Sequence, residues 1–164
     1  MLLIPAAVCL ALSFLPPVQF PAFAQRQELK EQDIPRPVIE VLNRYLVTLT
    51  EYPDLEECAR KLVPIFAGHL IAQSGGRVAD DVLRYSLKKD HDNVKFYRIP
   101  AVITRVQLNK NGYDGFGPTL VEGDIYKIWI AKKEGVAGLP APIPVIVPKD
   151  NPSAPKIVSN IGSL

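Results

Sequence analysis

The stretch TLVEGDIYKIWIAKK, residues 119–133, decides how the second half of this chain reads. β-branched and aromatic side chains dominate it, the composition of a strand. The run is too long and too rich in Ile, Val, Tyr and Trp to be a turn, and Gly123 suggests a bulge within it. Outward from it lie segments of the same kind. AVITRVQL, 101–108, is a strand that NKNG is expected to end. APIPVIV, 141–147, is a strand whose prolines suit a start or an edge. KIVSNIGSL, 156–164, is expected to be a last strand running to the end of the chain.

Before residue 100 the period changes. Val38, Leu42, Tyr45, Leu46 and Leu49 recur at three- and four-residue steps, which predicts an amphipathic helix with Pro37 in its first turn. Tyr52-Pro53-Asp54 breaks it, and Asp54 is placed to cap a second helix with Leu55, Cys58, Ala59, Leu62 and Phe66 inward. Pro64 ends that helix or kinks it. GHLIAQSGG, 68–76, reads as a brief strand closed by two glycines. In RVADDVLRYSLKK, Arg77 with Asp81 and Asp80 with Arg84 are spaced as helical pairs, yet Leu83, Tyr85 and Leu87 alternate with polar residues. The alternation favours a strand over 82–88.

Helices followed by strands in sequence describe an α+β plan, with N-terminal helices packed on one face of a strongly curved antiparallel sheet. The two helices, a short third helix near HDNVKFYR and the closing strands VITRVQL, GDIYKIWIAKK, PIPVIV and KIVSNIGSL resemble the NTF2-like superfamily over roughly residues 35–164. That resemblance implies a cone-shaped fold with a pocket between sheet and helices. It also implies a family of isomerases, dehydratases and epoxide hydrolases alongside members that only bind or dimerise. None of those enzymes' catalytic signatures aligns with this chain residue by residue, so no catalytic role is carried over.

Composition narrows the function classes. The 164 residues allow one domain, and a net charge of +2 without a basic stripe argues against a nucleic-acid partner. Residues 1–24 hold no charged side chain, an apolar run from Leu2 to Leu15 ends at Pro16-Pro17, and Ala22-Phe23-Ala24 fits a cleavage site. The expectation is a signal peptide over 1–24 and an exported protein, periplasmic or secreted, with no membrane span after cleavage. A flexible lead-in over 25–34 and a single domain over 35–164 follow. Cys58 would then be the only thiol left, with no disulfide to form and a buried, inert role.

The chemistry-bearing candidates are few. KKDHDN, 88–93, gathers five ionisable side chains, but two histidines in the whole chain and no HxH or HExxH spacing do not make a metal site. Asp90 is read as the N-cap of a short helix, Asp92 as the anion of its first turn and His91 as an exposed neighbour. His69, before the apolar LIA, is read as a histidine at a pocket rim, with a general base as the alternative. Asp124, if turned inward, is the other acid/base candidate. Tyr45, Tyr85, Tyr97, Tyr126 and Trp129 are the aromatic set that would line a cavity. NGYDGFGP, 111–118, matches no phosphate-loop pattern and reads as a hairpin loop. No cofactor is expected. The favoured reading is an exported domain that binds a small apolar ligand or a protein partner, with a homodimer through the sheet as one form of it. A pocket enzyme using an inward Asp or His is the alternative.

Overall fold

In a computed structural model the described residues are 26–159 and 161–164, so the segment 1–24 read as a signal peptide lies outside them. Helix α1 (Arg36–Glu51) buries Val38, Leu42, Tyr45, Leu46 and Leu49, the stripe its periodicity predicts. Helix α2 (Leu55–Leu62) is capped by Asp54, whose carboxylate accepts the Glu57 amide at 2.8 Å. Pro64 falls in a 3-10 turn, Val63–Ile65, that stops the helix.

The sheet has five antiparallel strands in sequential order. They are β1 (Arg26–Leu29), β2 (Ile103–Asp114), β3 (Val121–Ile130), β4 (Ala141–Pro148) and β5 (Lys156–Ile157). The sheet is open, with β1 and β5 as its edges, and is neither closed nor strongly curled. Tyr126, Ile128 and Ile130 of β3 and Ile143 and Val145 of β4 face the helices and join α1 and α2 in one core. Burying these side chains at roughly 1.5–3 kcal/mol each is what holds the helical layer to the sheet. Pro142 and Pro144 precede the two residues that pair with β5, where β4 has a strand on one side only.

Four expectations change. Residues 26–29, read as part of a flexible lead-in, pair with 106–109 as an edge strand, tied by Arg105 to Glu28 and by Gln107 to Glu28. NKNG does not end β2. The strand runs through it by way of a bulge between Asn109 and Gly112, with Asn111 left-handed at φ 54°. The extra residues thus sit on β2, across from Asp124 and beside Gly123, rather than at Gly123 itself. Gly123 is glycine because a Cβ there would stand 2.0 Å from the Val147 carbonyl oxygen of β4. Residues 68–70 form a 3-10 turn rather than a strand, leaving one bridge from Ile71 to Val78. Finally, β5 covers only two residues of KIVSNIGSL.

The largest departure is at 82–88. Val82–Leu87 is a π-helix running straight into α3 (Lys88–Asn93) and a 3-10 turn, Val94–Phe96. Val82 and Leu87 are its buried residues, whereas Tyr85 is 73% exposed. Backbone bonding from i to i+5 brings residues five apart onto one face, so the alternating apolar set is not the set that packs. Arg77 pairs with Asp80 instead of Asp81. The backbone of the last residues lies against the π turn: Gly162, at φ 89°, would place a Cβ 3.0 Å from the Cα of Ser86.

Candidate functional site

The helices and sheet share one core of buried side chains. Tyr45 and Tyr97 are almost wholly buried, Tyr126 is buried beside them, and Tyr45 packs on Phe66 with ring centroids 5.8 Å apart. The aromatic set therefore does not line a common cavity. Tyr85 projects into solvent, and Trp129 lies on the opposite face of the sheet, with the Arg105 guanidinium 4.6 Å and the Lys127 ammonium 5.4 Å from its ring centre. Asp124 is half-buried on β3 and does not line the groove described below. Its carboxylate accepts the Asn111 amide at 3.0 Å and holds the left-handed bulge residue.

Asp90 is not a helix cap. The π-helix runs into α3 without a break, so Asp90 falls inside a continuous helical run, has no exposed surface and accepts three hydrogen bonds. Oδ2 receives the Tyr45 hydroxyl at 2.8 Å and the Gly162 amide at 2.9 Å, and Oδ1 receives the Leu164 amide at 2.9 Å. Burial raises its carboxyl above the ordinary range, against the opposing pull of those donors, and burial together with the Asp90 charge raises the Tyr45 phenol far above its own. Asn93 completes the latch by donating to the Leu164 carbonyl at 3.1 Å. His91 is not a free neighbour either: its Nε2 donates to the Tyr52 carbonyl at 2.8 Å. Asp92 pairs with Lys88, which lowers its carboxyl. KKDHDN is therefore a clamp that fastens α1, α3 and the last residues together. Among the described residues no three His, Cys, Asp or Glu side chains converge on a metal position.

His69 is drawn into a cluster that sequence spacing did not suggest. The 3-10 turn Gly68–Leu70 abuts the end of β2, where Asp114 is buried at 7% exposure. Asp114 Oδ1 accepts the His69 amide at 2.8 Å and lies 3.1 Å from His69 Nδ1, and Oδ2 accepts the Ser159 hydroxyl. Gly115 donates its amide to the same Nδ1 at 3.0 Å. The close approach needs two glycines. A Cβ on Gly68 would fall 1.9 Å from Asp114 Oδ1, and one on Gly115 would fall 2.5 Å from the Thr119 carbonyl oxygen. Ser159 bonds to the carboxylate and not to the imidazole, so the trio lacks the serine–histidine contact that a nucleophilic relay needs. The one sequence trace of Asp114's role was its place in the glycine-rich NGYDGFGP.

Beside this cluster a groove of about 490 Å³ opens between the 67–75 segment, the β2–β3 loop and the β4–β5 connection. Ile71, Leu120, Val121, Pro148 and Ala154 form its apolar walls. Gln73 spans its rim, donating to the Thr119 hydroxyl at 2.9 Å, and Lys156 lines the side nearest β5. Phe116, 59% exposed, leans on the His69 ring at 5.7 Å. Such a volume is within the range of small-molecule sites. No helix among the described residues is long and apolar enough to cross a membrane. Comparison with protein-family models, with curated proteins and with solved structures finds no match to this chain.

Proposed function

We propose that this chain is an exported, periplasmic or secreted domain of NTF2-like descent that binds a small, largely apolar ligand without transforming it. One observation carries the binding reading: an apolar-walled groove of about 490 Å³ framed by three connections. Support for the NTF2-like relationship is the order of helices before strands, and support for export is the uncharged segment ending at Ala24.

The competing readings have weaker footing. An enzyme of the isomerase or dehydratase kind needs an acid or base facing a cavity, with a hydroxyl across it. Asp90 and Tyr45 make such a contact, but Asp90 has no exposed surface and cannot meet a substrate. A homodimer through the sheet would have to cover Trp129 together with Arg105 and Lys127, a charged face costly to desolvate.

A neutral fluorescent apolar probe, N-phenyl-1-naphthylamine, tests the reading directly. Saturable binding is expected, lost in Ala154→Trp, which fills the groove, and kept in Tyr85→Ala on the outer surface. Equal binding by Ala154→Trp and wild type would place the probe elsewhere and end the proposal.

A further inference from the structure

We propose that the end of the sheet away from the groove is a docking face for an anionic lipid bilayer. Two connections build it: residues 94–102, which lead from α3 into β2, and residues 131–140, which join β3 to β4. Val121 and Pro148 wall the groove at one end of the strands, whereas Ile103, Ile130 and Ala141 adjoin these connections at the other. Backbone hydrogen bonds lace the two connections together. The Ala131 amide donates to the Val102 carbonyl at 2.8 Å, the Lys133 amide to the Phe96 carbonyl at 2.8 Å and the Arg98 amide to the Ala131 carbonyl at 3.3 Å. The Lys132 ammonium donates to the Ala137 carbonyl at 2.9 Å and stands 5.7 Å from the Tyr97 ring centre, so the tip of the second connection is folded back onto the first.

Charge decides what this face meets. The two connections bring four cations together, Lys95, Arg98, Lys132 and Lys133, against one acid, Glu134. Among the described residues none of the four is in an ion pair. Asp92, just before them in α3, is taken by Lys88, and Arg105, just after them in β2, is neutralised by Glu28. The net charge of +2 for the whole chain conceals this excess, because the pairs Lys95 with Arg98 and Lys132 with Lys133 come from separate stretches. Exposed apolar side chains belong to the same two connections: Leu139, 86% exposed, with Phe96 and Val102. Apolar tips among unpaired cations match the boundary between phosphate headgroups and acyl chains, where the tips leave water and the cations meet phosphate. A nucleic acid offers the phosphates but no acyl layer for Leu139 and Val102 to enter. Docking by this end leaves the groove, at the far end of the strands, uncovered.

The test is co-sedimentation of the full chain with vesicles of phosphatidylcholine alone and of phosphatidylcholine mixed with phosphatidylglycerol. Residues 1–24 carry no charged side chain, so a preference for the anionic lipid reports the folded part, and whatever apolar binding that segment adds is common to every variant. Wild type is expected to prefer the mixed vesicles and to lose that preference in high salt. Arg98→Gln and Lys133→Gln should each lower the partition coefficient on mixed vesicles about fivefold, and Leu139→Ser about tenfold. All three side chains are exposed, so each variant should melt with wild type. Lys110→Gln removes an exposed lysine toward the other end of β2 and should change nothing. A loss in Lys110→Gln equal to that in Lys133→Gln would make net charge the cause and overturn the face. Equal partition of wild type to both kinds of vesicle would refute it as well. A loss in the two charge variants with Leu139→Ser unaffected would refute the bilayer and leave a site for a soluble polyanion.

Discussion

Asp90→Asn separates a cap from a clamp. At a helix N-cap asparagine serves nearly as well as aspartate, and the exchange would cost a few tenths of a kcal/mol. In the observed site the carboxylate accepts from three donors and has no solvent exposure. An amide can keep its oxygen on the Tyr45 hydroxyl and the Gly162 amide only by turning its NH2 toward the Leu164 amide. Two donors then face each other in a buried place. A buried donor left unmet costs about 1–3 kcal/mol, and that is the expected loss at pH 7. Asp90→Ala should cost more, because the Tyr45 hydroxyl also loses its acceptor. Tyr45→Phe should cost about 1.5–3 kcal/mol, the range for a hydrogen bond to a charged group, and less when Asp90 is already replaced. Urea melts at constant m-value read these numbers, and amide exchange at Leu164 should accelerate in each Asp90 variant. pH adds a second reading. Because burial raises the Asp90 carboxyl in the folded chain, the folded state keeps a proton after the unfolded state has lost it. Its contribution is fully present below the unfolded pKa and is lost as pH rises through the folded one. The gap between wild type and Asp90→Asn should therefore narrow as pH rises through that window. A loss under 0.5 kcal/mol at pH 7 with unchanged exchange at Leu164 would refute the clamp.

Gly123→Ala should cost about 3 kcal/mol or more in a urea melt, since its Cβ would meet the β4 backbone at 2.0 Å and the strands would have to part. Asp124→Ala should cost about 0.5–1.5 kcal/mol by freeing the Asn111 amide, with probe affinity unchanged; a loss of ligand binding would restore it as a site residue. Cys58 is wholly buried, and burial pushes its thiol up to about 11, so it should resist a disulfide reagent at pH 8 until urea unfolds the chain; fast labelling of the native protein would contradict this. Mass spectrometry of protein from its native host should find a mature terminus at Gln25, and an intact Met1 on soluble cytoplasmic protein would refute export.

Where local physics and burial agree, the sequence by itself determined the outcome. The stripe of α1, the Asp54 cap of α2, the stop at Pro64 and the strand at β3 all follow from short-range composition and spacing. The α+β class follows from their order. What only the tertiary structure decided are contacts made across long stretches of chain. Val82 and Leu87 are buried together because a π-helix replaces the strand, and that turn is packed by Gly162, far along the sequence. Asp90 is a buried acceptor because Tyr45, 45 residues earlier, and Leu164, 74 residues later, converge on it. Asp114 meets His69 across 45 residues, where two positive-φ glycines let backbone approach carboxylate. Spacing along a chain records which neighbours a side chain can have within a few turns. It carries no signal for a polar group whose partners arrive from distant segments, and both the Asp90 clamp and the His69–Asp114 cluster are built from such groups.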